Sequence, residues 1–207
     1  WALMMGLEHQ RIHVETSSML VRQLPVDRVK CPEYWDYAPL NGYSPQNGLI
    51  EVTGGVVTLG KAEHDSIYGW DIDYGHRTVE VNSFVASQYL ITNSDFLAFV
   101  KEDGYENQDY WSEESWQWKT QSNTQHPKFW LPHNGSYQYR AMFDEIEFPF
   151  DWPVEVNHYE AMAYCRWNGQ DTRLMSEAEY HLATYGDAEN CKYVEEDTEN
   201  YNLNLTF

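Results

Sequence analysis

The stretch PVEVNHYEAMAYCRWNG, residues 153–169, decides how the second half of the chain divides into elements. Asn157 and Glu160 stand three apart, the spacing of a capping box in which each side chain satisfies the other residue's backbone N–H. That spacing predicts a helix over 157–167. The signature recurs at Ser176 and Glu179, ahead of AEYHLATYG (178–186), and predicts another. Upstream, TNSDFLAFVKEDG (92–104) reads as a third helix. Thr92 or Asn93 is placed to cap its first turn, and Gly104 to end it in a left-handed conformation.

Ahead of these helices the pattern alternates with period 2. LIEVTGGVVTLG (49–60) suggests two short strands about a Gly-Gly turn, and TVEVNSFVASQYLI (78–91) suggests two more. Long irregular stretches rich in Trp, Tyr, Asn and Gly lie between, such as ENQDYWSEESWQWKTQSNTQHPKFW (106–130). Loops of that length inside a compact domain are usually functional. Short strands, three helices and long loops make residues 49–207 an α+β domain, whose last residues, 187–207, are acidic and Asn-rich.

Residues 25–48 hold four of the eight prolines and read as an irregular connector, with Tyr34, Trp35 and Tyr37 expected to lie against a surface. Residues 1–24, WALMMGLEHQRIHVETSSMLVRQL, have helical periodicity, which Pro25 ends because proline cannot continue the backbone ladder. The chain opens inside this pattern at Trp1 with no initiator Met, as a fragment beginning in the middle of an element would.

Composition narrows the function classes. With 207 residues and 16 % aromatic content, one or two domains with a substantial core are expected. The net charge of −20 repels phosphate backbones and anionic lipid, so neither nucleic acid nor membrane is an expected partner. No apolar run approaches the roughly 18 residues that span a bilayer. No signal peptide is visible. Cys31, Cys165 and Cys191 are too scattered for a disulfide framework or a CxxC site, and a reducing, cytoplasmic setting fits them. Asn134-Gly-Ser and Asn204-Leu-Thr match a glycosylation acceptor pattern, which carries little weight without a secretory signal.

The chemistry concentrates in the first helix. At about 100° per residue, His13 lies about 40° from His9, with Gly6, Thr16, Ser17 and Leu20 on the same side and Arg11, Ser18 and Arg22 on the far side. Two imidazoles on one face can bind one transition metal. The same spacing also describes two partly buried helix histidines with no ligand role. A zinc protease would need Glu directly after the first His to act as general base, and that position is Gln10. Glu15 lies about 120° from His9. It is as readily a surface partner of Arg11 as a site residue. No other His in the helix supplies a third ligand. His64, His76, His126, His133 and His181 lack a second ligand at helix or hairpin spacing and read as exposed loop histidines.

Two separated pieces of the chain resemble one architecture. His9-x-x-x-His13-x-Glu15 resembles the iron-binding helix of the DinB-like domain in sulfoxide synthases of ergothioneine and ovothiol biosynthesis. YGWDIDYGHRTVEVNSF (68–84), YLITNSDFLAFVKEDGY (89–105), PVEVNHYEAMAYCRWNG and TRLMSEAEYHLA (172–183) resemble a formylglycine-generating-enzyme, or sulfatase-modifying-factor, type domain. The run EHQRIHVETSSMLVRQLP (8–25) looks closest to the ovothiol branch. The chain departs from the family at Met175-Ser176, usually Pro-Thr, at Tyr180, usually Trp, and at His158, often Trp.

The resemblance implies the last helix of a truncated DinB-like bundle over 1–24, the connector 25–48, and an incomplete C-type-lectin-like domain over 49–207. It implies Fe(II) on His9 and His13, with a third His on an earlier helix and an active-site tyrosine and a methyltransferase domain beyond Phe207. The activity implied joins cysteine sulfur to the imidazole carbon of histidine with O2, and the 207 residues alone should be inactive. Substrate-binding and other catalytic residues are not indicated. The alternatives are an ergothioneine-type synthase taking trimethylhistidine, whose quaternary ammonium would suit aromatic walls, and a non-catalytic binding module of the same fold. A formylglycine-generating enzyme would have no use for the iron helix.

Overall fold

Helix α1 spans Ala2–Val21, as the periodicity of the first 24 residues requires. The computed structural model describes residues 1–40, 46–169 and 171–186. The acidic stretch 187–207, with Cys191 and Asn204, lies outside the described residues. Ser18 is the only buried residue of α1, while Trp1, Leu3, Leu7, Val14 and Leu20 are all exposed. Gln10, Arg11 and Glu15 are exposed as well, so the helix presents a mixed surface with many apolar side chains uncovered. Pro25 follows a short turn after Val21 and opens a 3-10 turn, Val26–Arg28.

The chain divides into two compact units. The first contains, of the described residues, 1–17, 47–88 and 175–186. Its strands are β1 (Leu49–Val52), β2 (Gly55–Leu59), β3 (Arg77–Val81) and β4 (Phe84–Ser87). The four strands match the alternating stretches, but β1 pairs with β4 and β2 with β3, both antiparallel, giving two nested two-stranded ladders. At Gly54 a Cβ would lie 2.7 Å from Ser83 N, so the crossing between the ladders admits only glycine. Val57 and Val81 meet Ala178 and Leu182 of the last described helix in a small core. Between β2 and β3 the loop is tied by Lys61 N–H to Asp73 O (2.7 Å) and Gly75 N–H to Lys61 O (3.1 Å).

The second unit contains, of the described residues, 18–40, 46, 89–169 and 171–174. Helix α2 (Asn93–Lys101) is capped by Thr92 with Asp95 at the third position, a full capping box. Its end differs from the expectation. Asp103 takes the left-handed backbone (φ 59), and Gly104 is required instead because a Cβ there would lie 2.4 Å from the Phe99 ring. Helix α3 (Glu113–Ser122) was not expected. It occupies the middle of the stretch 106–130 read as an irregular loop, so among the described residues four α-helices follow Leu49 where three are predicted. Strands β5 (Trp130–His133), β6 (Ser136–Arg140) and β7 (Glu145–Glu147) form an antiparallel sheet. Helix α4 (His158–Asn168) carries the expected Asn157–Glu160 box, and α5 (Glu177–Tyr185), in the first unit, carries the Ser176–Glu179 box.

The core of this unit is aromatic: Phe96, Phe99, Tyr105, Trp111, Trp130, Tyr139, Phe148, Trp152 and Tyr164. Asn93 sits within it, fully buried and fully bonded, its amide donating to Pro149 O and accepting from the Trp130 indole. Trp35 and Tyr37 of the connector pack as expected, Trp35 edge-on to Phe143 at 4.9 Å. Tyr34 instead is 90 % exposed.

Candidate metal centre

On α1 the His9 and His13 rings lie edge to face, 4.6 Å between centroids. Their Nε2 atoms approach to 2.8 Å. Both residues are exposed, on the opposite side of the helix from buried Ser18. An ion bonded about 2.1 Å from each nitrogen would see them about 84° apart, close to neighbouring corners of an octahedron; a tetrahedral ion would hold them about 3.4 Å apart. The pair stands close enough that both imidazoles would hold one transition metal. Without an ion, one ring donates an N–H to the other.

The surroundings of the pair are settled by short-range bonds. Thr16 donates its hydroxyl back to the helix carbonyls of Ile12 (3.0 Å) and His13, so it is occupied as a helix residue. Arg11 pairs with Glu8 at 3.0 Å. Glu15 is exposed on the helix surface. Among the described residues no group of three or more His, Cys, Asp or Glu is arranged to hold a metal. Two imidazoles thus stand side by side, and no third His, Cys, Asp or Glu joins them among the described residues. The remaining histidines are dispersed: His76 beside Thr78, His133 beside Asn134, His126 on Pro127 O, and His181 against Tyr185.

The second unit contains a charge network that sequence reading missed. Arg22, just past the end of α1, is buried and donates Nη1 to both carboxylate oxygens of Glu155 (2.8 and 2.7 Å) and Nε to Arg140 O (3.0 Å). Its guanidinium stacks 3.6 Å from the Phe129 centroid. Tyr139 donates its hydroxyl to the same Glu155, and burial first, then that carboxylate, pushes the phenol pKa well up. Nearby, Glu160 is buried, accepts from Tyr105 Oη (2.6 Å) and from Asn157 N–H (2.9 Å), and is raised by burial against the pull of those two donors. Placing Arg22 on the far side of the helix from His9 was the one available hint. Glu155 is 133 residues away, beyond any local pattern.

Residues 38–205 match the sulfatase-modifying factor enzyme 1-like domain. Over 127 residues the chain is 33 % identical to the hercynine oxygenase of Mycolicibacterium thermoresistibile, covering 60 % of this chain and 27 % of that protein. It is 31 % identical over 136 residues to the hercynine oxygenase of Mycolicibacterium smegmatis, covering 65 % and 30 %. A formylglycine-generating enzyme of Thermomonospora curvata is 26 % identical over 170 residues, covering 72 % and 54 %. The chain spans under a third of the length of the hercynine oxygenases it matches.

Proposed function

The chain belongs to the sulfatase-modifying factor enzyme 1-like domain family, and from that premise we propose that it forms part of a non-haem Fe(II), O2-dependent sulfoxide synthase joining cysteine sulfur to the imidazole ring of histidine. The observation that carries this reading is the 2.8 Å approach of His9 and His13 Nε2 on one exposed helix face. A domain of this family attached to a helix with two adjacent imidazoles has parts such an enzyme needs. The named relatives, two of them oxygenases, point to oxidative chemistry.

The reaction balances with one O2. Sulfur loses its proton, the ring carbon loses its hydrogen, and a C–S bond forms; one oxygen atom ends on sulfur and the other leaves as water. Iron, when bound, supplies open coordination positions and the redox chemistry that zinc lacks. His9 and His13 would hold it through their two adjacent Nε2 atoms. The Thr16 hydroxyl, committed to the helix carbonyls, leaves the coordination sphere to the imidazoles and the substrates. The exposed apolar residues of helix α1, among them Leu3, Leu7, Val14 and Leu20, suit a place beside further helices in a bundle of the DinB-like kind, where an earlier helix would bring the third histidine. Glu15 is assigned no role beyond its place in the motif.

A second reading has a specific observation in its favour. Hercynine is trimethylated histidine, and the chain is 31–33 % identical to two hercynine oxygenases over the matched residues. Free histidine is favoured by the ovothiol-like run from Glu8 to Pro25. A site whose acceptors are arranged for an amine's N–H groups would leave them unpaired with a trimethylated amine, a loss of about 1–3 kcal/mol for each buried group. The test is competition in the full-length protein, with equal histidine and trimethylhistidine, limiting cysteine, and product identified by mass. Predominantly unmethylated sulfoxide is expected; predominantly trimethylated product would select the second reading.

A further inference from the structure

We infer that a cleft in the second unit, independent of the histidine pair, binds a small monocarboxylate carrying an aromatic or branched apolar group. The cleft has a volume of about 920 Å³, within the range of sites that enclose a drug-sized molecule. Its walls are the last turn of α3, the loop leading to β5, the extended segment before α4 and the first turn of α4.

One wall is apolar, built from Trp118, Phe129, Val154 and Val156. One face of Phe129 is already covered by the Arg22 guanidinium. Trp118, half-buried, remains as the ring against which a ligand can lie, and its indole N–H donates no hydrogen bond among the described residues.

The polar side has acceptors that are spent and donors that are not. Glu155 is held on both oxygens by Arg22 and again by Tyr139. Glu160 is held by Tyr105 and by the Asn157 N–H. Asn157 commits its Oδ1 to the helix cap, which leaves its Nδ2 free to donate. The side-chain amides of Asn123 and Gln125 make no hydrogen bond to another described residue. Exposed Lys128 makes one bond, to Gln23 Oε1 at 2.8 Å, and an ammonium has three N–H groups to give. A chain with a net charge of −20 has thus gathered a lysine and several free amides around an apolar recess in which each carboxylate is already partnered. Free donors beside an apolar wall call for an acceptor-rich head on an apolar body, and a carboxylate meets a lysine in a charge-assisted bond.

The test titrates the 207-residue chain, in the presence of a metal chelator, with N-acetyl-L-phenylalanine and with the corresponding amide, which lacks the carboxylate. The acid should bind saturably and the amide at least about tenfold more weakly. Lys128→Glu and Trp118→Ala should each weaken the acid by a similar factor. Because Lys128 is exposed, its variant should melt with the wild type. No saturable binding of the acid up to about 10 mM, equal affinity for acid and amide, or unchanged affinity in Lys128→Glu would each overturn the assignment. The chelator removes any contribution from His9 and His13, so the result stands apart from the iron reading.

Discussion

Glu160 shows how a single residue can be legible in one role and hidden in another. Its place three after Asn157 announced the capping box, which is present. Its burial and its bond to Tyr105, 55 residues away, left no local mark. Burial raises its pKa, although Tyr105 and the Asn157 N–H pull in the opposite direction. In the folded state it therefore holds its proton more tightly than in the unfolded chain. Its contribution to stability is fully present below the unfolded carboxylate value and is lost as pH rises through the folded one. The wild type should lose stability relative to Glu160→Gln as pH rises from about 4 to 7. Denaturant titrations at a series of pH values measure this; a difference that is flat, or that grows in favour of the wild type, would contradict the assignment. The histidine pair was legible for the opposite reason. Four-residue spacing on a helix is a local property, and 2.8 Å between Nε2 atoms is its direct outcome.

Among elements, those marked by caps or by alternation were readable and those built on small or polar contacts were not. Thr92, Asn157 and Ser176 all cap as their spacing indicates. Helix α3 leaves little mark in the sequence because its fully buried residues are Ser115 and Lys119, because Trp116 and Trp118, which also pack on the core, stand two apart and make no helical stripe, and because Ser112 caps it without Glu or Gln three residues on. The Gly-Gly turn marked the boundary between β1 and β2, but pairing depends on partners near residues 77–87, which alternation does not name. Gly104 was noticed for the wrong property. Its space is filled by the Phe99 ring, itself wholly buried, so a methyl group has nowhere to go. Gly104→Ala should cost about 1–3 kcal/mol by overpacking. Denaturant unfolding reads this directly, and a neutral or stabilising result would show that Phe99 and the backbone at 103–104 yield more easily than their packing indicates.

At the scale of the whole molecule, the exposed apolar residues of α1 and its adjacent histidine pair support the proposal of a helix that works in company. The 207 residues alone place two imidazoles on one open face, which leaves a metal hydrated and loosely held. No sulfoxide should form when this chain alone is supplied with Fe(II), cysteine, histidine and O2, and product detected by mass would contradict the requirement for a third ligand. We propose that His9 and His13 hold the iron. The most direct measurement is the iron retained per polypeptide after anaerobic loading and desalting of the full-length protein, compared with His9→Ala and His13→Ala. The account predicts about one iron in the wild type and almost none in either variant, with circular dichroism unchanged. Near-stoichiometric iron in either variant would contradict it.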